Sequence, residues 1–319
     1  MRWLLRGLLV VVLAILVAWG WLVMKYSDAA GDDVPKWQLA LFIADEIGAR
    51  LYCAVTGCPA ELPEGMTLRE WATQKLVPST PVAIDVDPWG RVYVAEGDRN
   101  QGGAEDNRKH MYWFEDDLAS TTVEERRAYY EKWMKAGRIE DPEQFTKRAD
   151  RAYVLEDANG DGLADGAREL ARWNDWVNGI FAGVLWHDGD LYATEIPSLF
   201  LLRNVNGSEP PEVETLATGF GVKTSLSGHD LHGLVQGPDG KIYFSMGDRG
   251  YNVTTREGKH LVPPIDPGRG AVFRMNPDGS ALEVFAEGLR NPQKLAFDDH
   301  GNLFTGDNNG DGGDAARIV

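Results

Sequence analysis

Cysteine is nearly absent: the 319 residues hold two, Cys53 and Cys58. Two thiols are too few ligands for a structural zinc site, so in an oxidising compartment a small-loop disulfide is the plain reading. No Cys-x-x-Cys-His occurs, so the chain carries no c-type haem attachment signal of its own. Positive charge is also short, with 32 Lys and Arg against 49 Asp and Glu and a formal net charge of -17. That balance argues against phosphate-backbone binding, and nucleic acid is not expected as a partner. Against these shortages stands a hydrophobic content of 43%, enough to bury a sizeable core and to exclude disorder on the scale of the whole chain.

The one long apolar run is N-terminal. Arg2 and Arg6 precede Gly7 to Met24, and Lys25 and the acidic stretch Asp28 to Asp33 follow. At about 1.5 Å per residue the run is just long enough for a bilayer core of about 30 Å. The charge bias places the N-terminus in the cytoplasm and the body outside, as a single-pass inner-membrane protein facing the periplasm or cell exterior. A cleaved signal peptide, with Ser27-Asp28-Ala29 as its site, is the rival reading. Residues 1–27 are thus expected to be an anchor. Residues 28–77 read as a helical juxtamembrane spacer, because Leu39, Phe42, Ile43 and Ile47 recur at helical spacing and Thr67 to Glu70 forms a capping box.

From Pro81 the pattern changes to short apolar strands between turn residues. A degenerate repeat, an apolar segment, an Asp/Gly turn and a strand with an aromatic, occurs at 82–98, 183–195, 233–248 and 294–307. Its aromatics are Tyr93, Tyr192, Tyr243 and Phe304, and the last two intervals are 51 and 61 residues. Those lengths suit one four-stranded blade plus loops, so 78–319 is expected to be an all-β propeller. The first interval is twice as long because of a charged, helix-like insertion at about 106–148, with a capping box at Thr122 to Glu125 and a stripe of Tyr129, Tyr130, Trp133 and Met134. It reads as a decoration on the propeller flank, with a lid over the central opening as the alternative. About four blades are visible, and an unclosed propeller leaves an unpaired edge, so the fold is expected to continue beyond residue 319.

Three stretches carry residues suited to chemistry. Asp157, Asn159, Asp161 and Asp165 alternate around Gly162 as in the first nine positions of a calcium loop, although the twelfth position is Arg168; a plain Asx/Gly turn is the alternative. Gly228 to Asn252 places His229 and His232 before a strand, turns at Pro238-Asp239-Gly240 and returns to Asp248 and Arg249, expected to form a corner ion pair or, for Arg249, a cofactor contact. Gly288 to Asp314 holds Arg290, Asn291 and Lys294 ahead of a strand and an Asn/Gly/Asp run behind it, donors that suit an anionic, oxygen-rich ligand held with a cation.

HDLHGLVQGPDGKIYFSMGDRG and GLRNPQKLAFDDHGNLFTGDNNGDGGD resemble two signature stretches of the soluble quinoprotein glucose dehydrogenase-like proteins. They are still more similar to a family of predicted membrane-bound dehydrogenases common in planctomycete-type bacteria. The similarity covers about residues 78 to 319, outside the insertion. It implies a six-bladed propeller with pyrroloquinoline quinone (PQQ) and calcium over the central opening. It makes His229, eight residues before Gly237, the general base, and Arg290 and Asn291 quinone contacts. Arg249 and Lys294 are further candidates for the cofactor. Calcium would be held near Asn309 and Gly310, with Asp314 at a nearby second calcium position; here Asn309-Gly310 replaces the family's Gly-Pro and Ala315 replaces an acidic residue. His232 reads as structural, with an H-x-x-H metal pair as the alternative.

The expectation is therefore a membrane-anchored, extracytoplasmic dehydrogenase that oxidises a sugar or alcohol and passes electrons to a c-type cytochrome. Two other classes stay open, a calcium-dependent lactonase-like hydrolase and a non-catalytic propeller that binds glycan or protein.

Overall fold

The computed structural model describes residues 63–139, 141–263, 269–309, 313 and 315–319. The expected anchor, Cys53, Cys58, Gly310 and Asp314 lie outside the described residues, among which no helix is long and apolar enough to cross a membrane. Contacts divide the chain into two units, 1–69 and 70–319. No helix follows the Thr67 to Glu70 signal. Trp71, Leu76 and Val77 pack instead with Val94 and Leu155, so the boundary expected near Val77 falls inside the second unit.

The second unit is built of antiparallel sheets. The first comprises β1 (Pro81–Val86), β2 (Val92–Glu96), β3 (Asp150–Glu156) and β4 (Gly166–Trp173) in that order. The second is β5 (Gly183–His187), β6 (Asp190–Glu195), β7 (Ser198–Arg203) and β8 (Glu212–Thr218). The third orders β9 (Leu231–Gln236), β10 (Ile242–Met246), β13 (Gly270–Met275) and β14 (Glu283–Leu289), with a small hairpin of β11 (Val253–Thr254) and β12 (His260–Leu261) between its second and third strands. The fourth has β15 (Leu295–Phe297), β16 (Leu303–Asp307) and β17 (Arg317–Ile318). The first strands β1, β5, β9 and β15 lie side by side, as the inner strands of propeller blades do. The described residues thus form a propeller-like arrangement of four blades, not the six that the resemblance implies.

The core lies between blades. Tyr93, Val154, Phe181 and Leu191 join the first and second; Leu201, Phe220, Phe244 and Phe273 join the second and third; Tyr243, Val272 and Leu295 join the third and fourth. The repeat has a local cause. Asp87 accepts from the N–H groups of Trp89 and Arg91, Asp239 from that of Lys241, and Asp298 from those of His300 and Asn302, each closing the turn between a blade's first two strands. The aromatic on the second strand reaches back in two of them: Tyr93 and Tyr243 donate to Asp87 and Asp239 at 3.3 and 3.0 Å. Burial leads the rise of the Tyr93 pKa to about 12, so that hydroxyl keeps its proton.

The insertion between β2 and β3 folds as α1 (Phe114–Ala119), α2 (Val123–Lys135) and the one-turn α3 (Gln144–Lys147). Thr122 caps α2 by accepting from the N–H of Glu125 at 3.1 Å, and Glu125 accepts from that of Thr121 at 2.7 Å, so the signal reads true with its return bond one residue earlier than usual. Tyr129 and Tyr130 bury against Trp113 and Phe145. The expected flank decoration makes many of its polar contacts to 222–227, the segment that leads into β9, and others to Asp98, Asp175, Val177 and Asn252.

Candidate active site

His229 stands at the entry to β9 and Asp248 at the exit from β10. Gly247 lets them meet: a Cβ there would lie 2.7 Å from that of His229 and 2.8 Å from its backbone. The His229 Nδ1 lies 2.6 Å from Asp248 Oδ1. A carboxylate only accepts, so Nδ1 carries a proton, and in the neutral ring Nε2 is the atom with the free lone pair. One residue on, Asp230 and Arg249 make a second cross-strand pair at 2.6 Å, both side chains almost wholly buried. Asp230 also accepts from the N–H groups of Ile180 and Gly228 at 3.1 and 3.0 Å. The corner ion pair expected between Asp248 and Arg249 is therefore not formed, because each residue turns to its own partner before β9. Arg249 is committed to Asp230 and to the Lys223 carbonyl, and at 1% exposure it has no surface for a cofactor.

His232 lies within the blade. Its Nδ1 and Nε2 sit 3.2 Å from Ser245 Oγ and 3.2 Å from Asn291 Oδ1. Burial pulls its pKa down to about 4, and the ring is neutral near pH 7. Gly233, at φ +69°, is the extra residue of a bulge in β9 that changes the register after His232. The amide of Asn291 donates to the Gly228 carbonyl at 3.2 Å, as does that of Gln293 at 3.1 Å. Asn291 thus links His232 to the turn that presents His229.

Arg290 and Asn291 are set by Asp307 at the end of β16, whose Oδ1 accepts from both backbone N–H groups at 2.9 and 2.8 Å. The Arg290 guanidinium donates to the carbonyl of Asn309 and lies 4.0 Å from Asp248 Oδ2. Lys294 is exposed. A cleft of about 360 Å³ opens at the inner strands, lined by Gly228, Asp230, His232, Asn100, Ile180 and Gln293 among others. Its wall includes both chain neighbours of His229.

The sequence-predicted residues divide into groups. His229, Arg290 and Asn291 come together. Asp157, Asn159, Asp161 and Asp165 share the β3–β4 loop, where Asp157 accepts from the N–H of Gly160, Asp161 from that of Leu163 and Asp165 from those of Ala158 and Asn159. Among the described residues no group of three or more His, Cys, Asp or Glu is placed to hold a metal ion.

Asp230 has no sequence signal, and Asp307 stands out as the first residue of the Asn/Gly/Asp run after the strand. A second, faint signal for Asp307 exists: an acidic residue stands three positions after the repeat aromatic at Glu96, Glu195 and Asp307, and all three are buried. Glu96 accepts from the N–H of Ser79, ahead of β1, as Asp307 does from residues ahead of β15. Glu195 is fully buried with neither oxygen hydrogen-bonded, and burial leads a rise of its pKa well above the ordinary carboxylate value, followed by the charge of Asp150.

The family model described as Domain of unknown function (DUF7133) matches residues 59–316, and the chain belongs to that family. No curated protein matches it. Among solved structures it is similar to a candidate oxidoreductase (glucose dehydrogenase) of Thermus thermophilus, with 16% identity over 75% of this chain and 61% of the other at a TM-score of 0.39. A candidate gluconolactonase shares 21% identity over 54% of this chain and 58% of the other, TM-score 0.33. The periplasmic gluconolactonase of Pseudomonas aeruginosa shares 13% over 53% and 62%, TM-score 0.28. The chain spans about 61% of the length of the first of these structures.

Proposed function

We propose that this member of the DUF7133 family is an extracytoplasmic, membrane-anchored dehydrogenase that oxidises a sugar or alcohol with His229 as general base. The observation that carries the reading is the 2.6 Å contact of His229 Nδ1 with Asp248, which in the neutral ring leaves Nε2 as the basic atom, while both chain neighbours of His229 line a cleft at the inner strands. Asp248 orients the ring and would stabilise the imidazolium formed when Nε2 takes a hydroxyl proton, a role worth about 10²- to 10⁴-fold in rate.

PQQ, when bound, would supply the carbonyl carbon that accepts hydride from the substrate's C–H bond. An anionic planar ligand fits the described donors in part: Arg290 offers a guanidinium beside Asp248, and Gln293 and Lys294 are exposed. Arg249 does not fit this role, and Asn291 acts through its bonds to Gly228 and His232. Calcium beside the quinone would rest on Asn309, whose carbonyl Arg290 already engages, and on Gly310 and Asp314, which lie outside the described residues. A c-type cytochrome as electron acceptor completes the proposal.

The test is dye-linked oxidation of a panel of sugars and alcohols by the full-length protein supplied with PQQ and calcium, alongside His229→Ala. Activity that needs the quinone and falls at least 100-fold in the variant is expected. Absence of quinone binding, or an unchanged rate in the variant, overturns the reading. Lactone hydrolysis that needs calcium but no quinone would select the hydrolase instead.

A further inference from the structure

The segment 222–227 connects the helical insertion to the His229–Asp248 pair. Ser225 is its centre. Its backbone is left-handed at φ +49°, a conformation a non-glycine residue holds only when its surroundings fix it. The surroundings are the insertion. The N–H of Asn107 donates to the Ser225 carbonyl at 2.9 Å, and the Asp117 carboxylate accepts from the N–H groups of Thr224 and Ser225 at 2.5 and 3.4 Å. Asp117 is held in turn by the Asn107 amide and the Tyr129 hydroxyl at 2.5 and 2.7 Å.

Two further grips flank this one. Lys223 Nζ donates to the carbonyls of Asp117, Leu118 and Ser120 at the C-terminal end of α1, where orphan carbonyls favour a cation. Asp106 accepts from the N–H of Ser227 at 3.0 Å; burial works to raise its pKa, but the bonds from Arg108 and Ser227 overcome it and leave the group ionised. The outcome is at the site: the Ser225 hydroxyl lies 3.2 Å from Asp248 Oδ1, the same oxygen that receives Nδ1–H of His229.

We propose that the insertion is a clasp for the proposed general base, and that Ser225 is a positioning residue, held left-handed by Asn107 and Asp117 so that its hydroxyl donates to Asp248 beside His229. Ser225 touches no reacting atom. It shares the carboxylate oxygen with the imidazole, and so sets both where Asp248 points and how strongly it holds Nδ1–H. The charged and titratable groups around His229 are Asp248, Arg290 across Asp248, the adjoining Asp230 with its Arg249, and neutral His232.

The significance of the clasp rests on the general-base reading, but its test uses neither substrate nor quinone. His229 is titrated by NMR in the full-length chain carrying ¹⁵N-histidine, its signal assigned by its loss in His229→Gln. Ser225→Ala and Ser225→Gly remove the hydroxyl, the second without left-handed strain. Each leaves Asp248 with one donor fewer and is expected to raise the proton affinity of His229 by about threefold. Asp117→Asn and Lys223→Met keep the hydroxyl and loosen the clasp. They are expected to shift the titration the same way and to speed exchange of the Ser225 amide about tenfold or more.

An unshifted His229 titration in both Ser225 variants overturns the proposal. A shift there with none in either folded clasp variant overturns the insertion's part in it. Failure of dye-linked oxidation with these shifts intact would sink the dehydrogenase reading and leave the clasp standing.

Discussion

Asp230 and Arg249 form an ion pair at 2.6 Å with side chains 0 and 2% exposed, one residue behind His229 and Asp248 on the same two chain segments. Removing either partner leaves a charge buried without its counterpart. Asp230→Asn is therefore expected to destabilise the protein by about 3–5 kcal/mol, and Arg249→Met similarly. Urea unfolding of the single variants and of the double variant measures this, and a double variant as unstable as the sum of the singles would deny the coupling.

Asp248→Asn tests the orientation of the proposed base, His229. The amide can donate as well as accept, so the ring loses its fixed tautomer. Turnover is expected to fall by about 10²-fold or more with little change in KM. A change in KM alone would place Asp248 in substrate binding.

Gly247→Ala presses a methyl group against the Cβ and backbone of His229, contacts that no flexible side chain can relieve. The expected result is a folded protein in which His229 is displaced and oxidation is reduced at least tenfold. An unchanged His229 titration in that variant would show that the close approach does not position the ring.

Glu195 gives a pH dependence of the opposite sign to an ordinary carboxylate. Its folded pKa is raised, so the folded chain binds the more protons, and stability present below the unfolded value near 4.5 is lost as pH rises toward the folded value. Asp150, raised mainly by burial to about 6, adds a smaller loss between its ordinary value of 3.8 and 6. Glu195→Gln is expected to be more stable than the parent by a margin that grows from pH 5 to pH 8. Parallel stability curves would show that Glu195 does not titrate with folding.

His232 acts at the other end. Its folded pKa near 4 lies below the unfolded 6.5, so the folded chain resists protonation, and stability held above pH 6.5 is lost as pH falls toward 4. The loss is about 3 kcal/mol, and urea unfolding across this pH range should show that His232→Gln abolishes that component.

The blades were legible because their signals are local. An Asp at the turn, a Gly at its end and an aromatic on the return strand lie within a few residues of one another, and the hydrogen bonds of Asp87 and Asp239 use the same short span. His229 as the proposed base came from the resemblance, through its place eight residues before Gly237. The rest of the site depends on distant pairs. Ser225 owes its conformation to Asn107 and Asp117, over 100 residues earlier, and Asp230 to Arg249 and Ile180 on two different blades. Arg249 was misassigned for the same reason: the charge next to it in sequence points away from it. The expected helix after Thr67 failed where a sound capping signal preceded apolar residues that the first blade recruits.

The insertion also has a bearing on how the chain reaches this fold. The second and third blades pair strands that lie close in sequence, and the short turns of their first hairpins give each a low-contact-order start. The first blade differs, because β2 must find β3 across residues 97–149. Condensation of the insertion around Trp113 and Tyr130 shortens the effective loop that this pairing must close. On this loop-closure argument β3 and β4 are expected to join their sheet after the hairpins and the insertion, and late acquisition of amide protection at Ala152 and Val154 during refolding is the measurement that checks it.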